Sequence, residues 1–197
     1  GDAALAEDFL VSIVARVLDR RKEELAVLER DTAPLERVQK PFPRIRYAEA
    51  IEILQKAGHP AKHGDDFGGD EETVISQGFD RPIIVTHYPI DLKAFYFKTS
   101  PDDPSLALNM DVLAPEGYGE IIGGGQREDD LGKLEAAIAH HGLPADAFGW
   151  YADLRRYGSF PHAGFGLGLE RTVAWLCKLP HVRETAPFPR MLTRLRP

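Results

Sequence analysis

The sequence predicts an α+β fold, an antiparallel β-sheet with helices packed against it. Three observations carry that prediction. Apolar residues recur at three- and four-residue steps near the start of the chain. From Arg81 onwards the character changes to short β-like runs, each broken by proline, glycine or aspartate. Helical spacing then returns near Asp129 and is followed by a segment in which glycine alternates with apolar residues. At 197 residues, 43% hydrophobic and 28% charged, the chain is long enough for one well-packed domain, and it shows neither an internal repeat nor a low-complexity segment.

Leu5, Phe9, Leu10, Ile13, Val14, Val17 and Leu18 place an amphipathic helix over residues 3 to 28. Pro41-Phe42-Pro43 ends the polar stretch that follows and favours extended backbone. Tyr47 to Lys56 reads as a second helix with Gly58 as its stop, and this pair of helices is expected to be peripheral. Gly64 to Gly69 is a loop, and Asp70-Glu71-Glu72 suits the first turn of a short helix ending near Gln77. The β-like runs are Pro82 to Tyr88, Lys93 to Lys98, Leu106 to Leu113 and Gly119 to Ile122, the pattern of an antiparallel meander. Further helices are expected over Asp129 to His140, Pro144 to Arg155 and Thr172 to Leu179.

No apolar run approaches the roughly 20 residues of a membrane span and no secretory signal is visible, so a cytoplasmic location and no membrane partner are expected. Cys177 is the only cysteine, which excludes disulfide frameworks and cysteine-based zinc sites; buried packing is its expected role. The net charge of −7 argues against nucleic-acid binding through general basicity. Arg183, Arg190, Arg194 and Arg196 form one local basic cluster, which reads equally well as a solvated tail. The chain opens Gly1-Asp2 and enters a helix at once, as a piece of something longer would.

Chemistry is concentrated in two stretches. In the first, Gly164, Gly166 and Gly168 alternate with Phe165, Leu167 and Leu169, so a strand here has a bare face. Glu170 and Arg171 follow, and a fixed cation beside bare backbone at a helix start suits a polyanion. In the second, Asp111 and Glu120 flank a Pro/Gly turn that can bring both carboxylates to one place, as magnesium beside a phosphate requires. Each is equally readable as a solvent-facing strand residue. The triple glycine 123–125 leads to Gln126 and Arg127, an amide and a guanidinium suited to gripping a carboxylate or carboxamide. His162 stands at the mouth of the glycine strand, where a ligand contact and a structural role fit equally, and His140-His141 reads as solvated. No Walker-type loop, H-E-x-x-H or Ser/His/Asp arrangement is present.

Gly164-Phe165-Gly166-Leu167-Gly168-Leu169-Glu170-Arg171 resembles the third signature motif of class II aminoacyl-tRNA synthetases. In that motif the arginine packs on the adenine of ATP and reaches its terminal phosphate. The likeness is strongest to the aspartyl/asparaginyl subgroup, whose G-E-I-x-G-x-Q-R strand corresponds to the segment from Gly119 to Arg127. The resemblance implies ATP contacts at Gly168, Leu169, Glu170, Arg171 and Glu120, and Mg2+ at Glu120 with Asp111 as second acid. It also implies amino-acid contacts at Arg127, Gln126, His162 and Gly164. Gly123, the run Gly158-Ser159-Phe160-Pro161-His162-Ala163-Gly164, Lys93-Ala94-Phe95-Tyr96 and Pro187-Phe188-Pro189-Arg190 resemble asparaginyl members more than aspartyl ones. Gly125 and Ala163 depart from the pattern, standing where asparaginyl members usually carry serine.

The resemblance runs from about Leu5 to Pro197 and implies the C-terminal part of a catalytic domain. The implied activity is ATP-dependent activation of asparagine and transfer to tRNA, within a complete enzyme that is a homodimer. The family's first motif, its second motif with the F-R-x-E arginine that holds the α-phosphate, and the anticodon-binding barrel are expected upstream. Val182-Arg183-Glu184 is the nearest string to F-R-x-E and has the wrong spacing. An aspartyl enzyme, and a non-catalytic paralogue that binds an amino acid, nucleotide or partner chain, remain as alternative readings.

Overall fold

The computed structural model describes residues 1–194 and 196. Five strands form one sheet in the order β1-β2-β3-β4-β5: Arg44–Arg46, Ile83–Thr86, Asn109–Ala114, Gly119–Gln126 and Ala163–Leu167. The meander from β2 to β5 is antiparallel throughout, as the run of turn residues predicts. β1, which the sequence shows only as extended backbone after Pro43, adds a parallel edge strand beside β2.

The helices cover this sheet on both faces. On one face lie α1 (Asp2–Arg20) and α8 (Leu169–Cys177). Ala6, Leu10 and Val14, one helical turn apart, pack with Trp175, Ile84, Met110, Val112 and Ile122. On the other face are α4 (Tyr47–Lys56) and α5 (Gly69–Gln77), whose Tyr47, Leu54 and Ile75 pack on Ile83, Val85 and Leu113. The two N-terminal helices are thus not peripheral. Each supplies one layer of core, because its apolar stripe meets one face of alternating strand side chains.

Several boundaries differ from those expected. The first helix is broken at Arg21 (φ −128°), so α1 is followed by the short α2 (Lys22–Val27) and the single turn α3 (Ala33–Glu36), with Leu25 and Leu35 buried while Val27 and, just past α2, Leu28 are exposed. Lys93 to Lys98 is not a strand. It follows a 3-10 turn at Ile90–Leu92, and its ladder pairing among the described residues is limited to an isolated bridge of Phe97 with Arg127, with another, Thr99 with Ala107, just beyond it. β4 runs four residues past Ile122 because strands on both sides pair with its glycines. α6 (Leu131–His140) is capped by Asp130, whose side chain accepts from the Lys133 N–H. A 3-10 turn at Ala145–Phe148 precedes α7 (Gly149–Arg156). α8 begins earlier than expected, which puts Arg171 in its first turn.

β5 closes one edge of the sheet, and among the described residues nothing pairs with its outer side. Leu5, Phe9 and Leu169 are exposed at 60%, 43% and 65%, with Phe9 stacked obliquely near Phe165. Cys177, expected to be buried, is only part-buried, with burial pushing its thiol pKa up.

Candidate active site

A β-bulge sets the geometry. Asp111 lies opposite Gly123, and two positions along β3 Leu113 lies opposite Glu120, with a register shift between Val112 and Leu113. Alternation alone would send Glu120 and Gly123 to opposite faces; the extra residue returns Glu120 to the face of Asp111 and Gly123. A Cβ on Gly123 would stand 2.6 Å from Glu120 Oε1 and 3.7 Å from Asp111 Oδ1, so both carboxylates converge over bare backbone. Gly164 and Gly166 pair with Gly125 and Gly123 and present their bare side to this same face, while Phe165 and Leu167 pack into the core on the other. Nothing lies within 4 Å of where a Gly166 Cβ would be. The glycine strand is therefore the open floor that its alternation predicts.

Arg171 borders one end of this floor. Its aliphatic stem lies over Gly168, 3.6 Å from the Cβ position there, and Nη1 donates to the Glu120 carbonyl at 3.0 Å. Nη1 is also 3.6 Å from Glu72 Oε2, and Glu72 accepts from the Glu120 N–H at 2.9 Å. Leu169 and Glu170 are exposed at the start of the same helix.

The other end is built around Arg127. Its guanidinium stands over Tyr96 and Phe97, 4.9 and 5.1 Å from the ring centroids, and Nη1 donates to the Gly125 carbonyl. A Cβ on Gly164 would be 3.8 Å from Arg127 Nη2, which puts both on the floor side. Gln126 does not join it. Strand alternation turns Gln126 to the opposite face, where it borders a recess with Asp2, Met110 and Ala163, so the expected amide–guanidinium pair is not formed. His162 fits its structural reading: Nδ1 donates to the Phe160 carbonyl at 2.8 Å, which leaves Nε2 to accept from Arg155 Nη2 at 3.4 Å. Buried Arg155 also bonds the Glu128 carbonyl and the Tyr151 hydroxyl, and the His162 carbonyl accepts from the Arg127 N–H.

The carboxylates are electrostatically crowded. Burial, then the nearby Asp111 and Glu72, push the Glu120 pKa up to about 7. Burial likewise raises Asp111 and Glu72. Asp111 is offset by Lys93, whose Nζ is 2.6 Å from Oδ2 and 3.8 Å from the centre of the Tyr88 ring. Asp111 Oδ1 borders the same Gly123 position as Glu120 Oε1. Among the described residues no group of three or more metal-ligating side chains is assembled. The converging pair still fits magnesium, which takes one or two protein carboxylates and fills its remaining positions with water and phosphate.

Comparison with known proteins now decides the family. The family described as tRNA synthetases class II (D, K and N) matches residues 3–192. The chain belongs to it. An asparagine–tRNA ligase of Sorangium cellulosum is 63% identical over the whole of this chain and 47% of its own length. The crystal structure of asparaginyl-tRNA synthetase from Pyrococcus horikoshii complexed with asparaginyl-adenylate superposes with TM-score 0.96 at 51% identity, covering 99% of this chain and 45% of that one. An aspartyl tRNA synthetase from Entamoeba histolytica gives 0.86 at 29%, covering 98% and 41%. The chain spans about half the length of the relatives it matches.

As a class II synthetase segment, the chain places around the candidate site several residues that its sequence did not single out. Glu72 reads as a first-turn helix acid, Tyr88 as the end of a strand, and Arg155 as the end of a helix. Lys93 shows only as part of a subgroup likeness. Glu72 meets Glu120 48 positions away and Lys93 meets Asp111 18 positions away, so local spacing carries no sign of those contacts. The basic cluster Arg183, Arg190, Arg194 and Arg196 is exposed, and His140 stands at the surface beside exposed Asp91. No described helix is long and apolar enough to cross a membrane.

Proposed function

We propose that this chain supplies one wall of the active site of a cytoplasmic asparagine–tRNA ligase. The observation that carries the reading is the bare glycine floor, with Arg171 and the Glu120–Asp111 pair at one end and Arg127 at the other. Arg127 stands just past the end of β4, seven positions from Glu120, at most roughly 23 Å at about 3.3 Å per residue. That length suits a nucleotide joined to an amino acid. ATP lies on the floor with its adenine and outer phosphate at Arg171, and Gly168, Leu169 and Glu170 form the helix start beneath it. Asparagine is held by Arg127, with Gly164 leaving room for its backbone. His162 acts through its carbonyl bond to Arg127 and through Arg155.

In the first step the asparagine carboxylate attacks the α-phosphorus and pyrophosphate leaves; in the second the tRNA 3′ end takes the acyl group and AMP leaves. Positioning and charge neutralisation carry most of such a displacement. Mg2+ held by Glu120 and Asp111 would supply positive charge for the phosphates. The tRNA contacts, the grip on the α-phosphate and the homodimer contact belong, in this reading, to polypeptide outside these 197 residues. The higher identity to asparaginyl than to aspartyl relatives favours asparagine as substrate. The test is ATP–pyrophosphate exchange by the full-length protein with asparagine or aspartate as the only amino acid. Exchange with asparagine alone is expected; equal exchange with aspartate would overturn the substrate, and none with either would favour the non-catalytic paralogue.

A further inference from the structure

The structure assigns Glu72 as a positioning residue that fixes Arg171 and the Glu120 bulge for the nucleotide, an inference that rests on the ATP reading above. α5 aims Glu72 at the start of β4, where it is 8% exposed. Its Oε2 accepts from the Glu120 N–H while Arg171 donates to the carbonyl of the same residue, so the Glu120 backbone is gripped from both sides. Gly119 makes this possible. With φ at +67°, a Cβ there would stand 2.4 Å from Glu72 Oε2, and the carboxylate would be displaced.

The arrangement also divides the arginine's donors. Nη1 is committed to the Glu120 carbonyl, with Glu72 at 3.6 Å as its only carboxylate partner among the described residues. Nη2 and Nε have no protein partner among those residues, and about half of the side chain is exposed to the floor. A guanidinium anchored at one nitrogen presents the rest of its plane to a base or a phosphate without having to be ordered by the ligand. Removing the Glu72 charge therefore takes away the carboxylate that holds Nη1 in place beside the Glu120 carbonyl, while the backbone bond stays, because a glutamine oxygen still accepts from the Glu120 N–H.

The test is Glu72→Gln in the full-length ligase, read by ATP–pyrophosphate exchange and thermal melting, with Glu72→Asp and Arg171→Ala alongside. Glu72→Gln is expected to raise the KM for ATP about fivefold, the upper range for a partly exposed ion pair, with the KM for asparagine and the melting temperature unchanged. Glu72→Asp keeps the charge on a shorter stem and should fall between. An unchanged KM for ATP in Glu72→Gln would overturn the assignment, as would a parallel rise in both KM values with early melting, which marks a structural role. If Arg171→Ala itself retains full exchange, the ATP reading fails; if it loses exchange while Glu72→Gln is normal, only the role of Glu72 fails.

Discussion

Arg171 and Glu120 occupy the same corner of the site, and opposite physics governs them. Arg171 is half-exposed and lightly tethered, so in the proposed site its loss should cost ligand contacts rather than core. Arg171→Ala in the full-length protein should reduce ATP–pyrophosphate exchange roughly 100-fold or more, the scale of removing one preorganised donor, with asparagine binding by calorimetry nearly unchanged. Glu120 is instead a half-buried acid beside two others, with its pKa at about 7 against the ordinary 4.5. A raised folded pKa means that its favourable contribution is complete below about 4.5 and is lost as pH rises through 7. In EDTA, Glu120→Gln should therefore melt at the same temperature as the parent near pH 4, and higher than the parent at pH 8, by about 2–4 °C for each kcal/mol relieved. A gap that is constant with pH would contradict the crowding of these carboxylates.

The elements show why neighbouring glycines in two paired strands have different duties. A Cβ on Gly124 would meet Phe165 Cβ at 2.4 Å and the Gly164 carbonyl at 2.6 Å, so it enforces close contact between β4 and β5. Gly124→Ala should destabilise by about 1–3 kcal/mol in urea unfolding, the usual cost of overpacking. Gly166 has open space above it, and Gly166→Ala should melt normally while weakening ATP binding, because the added methyl group occupies the floor. The alternation in the sequence discloses the bare face. It does not disclose which glycine is bare for packing and which for a ligand, because that depends on what lies across the strand. The bulge in β4 is likewise invisible in Gly119 to Gln126, since it exists only relative to the register of β3.

At the scale of the molecule, α4 and α5 cover β2 and β3 and leave the floor over β4 and β5 open, with the β5 edge beyond it. Buried Arg30 ties this frame together: it forks onto Glu116 in the β3–β4 turn and bonds the Trp175 and Leu176 carbonyls near the end of α8. The site has one wall. The 197-residue chain alone is accordingly expected to give no asparagine-dependent exchange under conditions where the full-length protein is active. Measurable exchange by the purified chain would show that the opposite wall is dispensable.

Residue order alone determined the class of fold, the helical and strand-like regions, and the pairing of a glycine-alternating strand with an arginine, because these depend on spacing within a few residues. It also carried the family, through motifs continuous in the chain. Only the tertiary structure decided that Gln126 leaves Arg127, that His162 turns to Arg155, that Lys93 neutralises Asp111, and that Glu72 anchors Arg171. Face, register and burial decide each of those outcomes. All three are relations between segments that meet only when the sheet assembles.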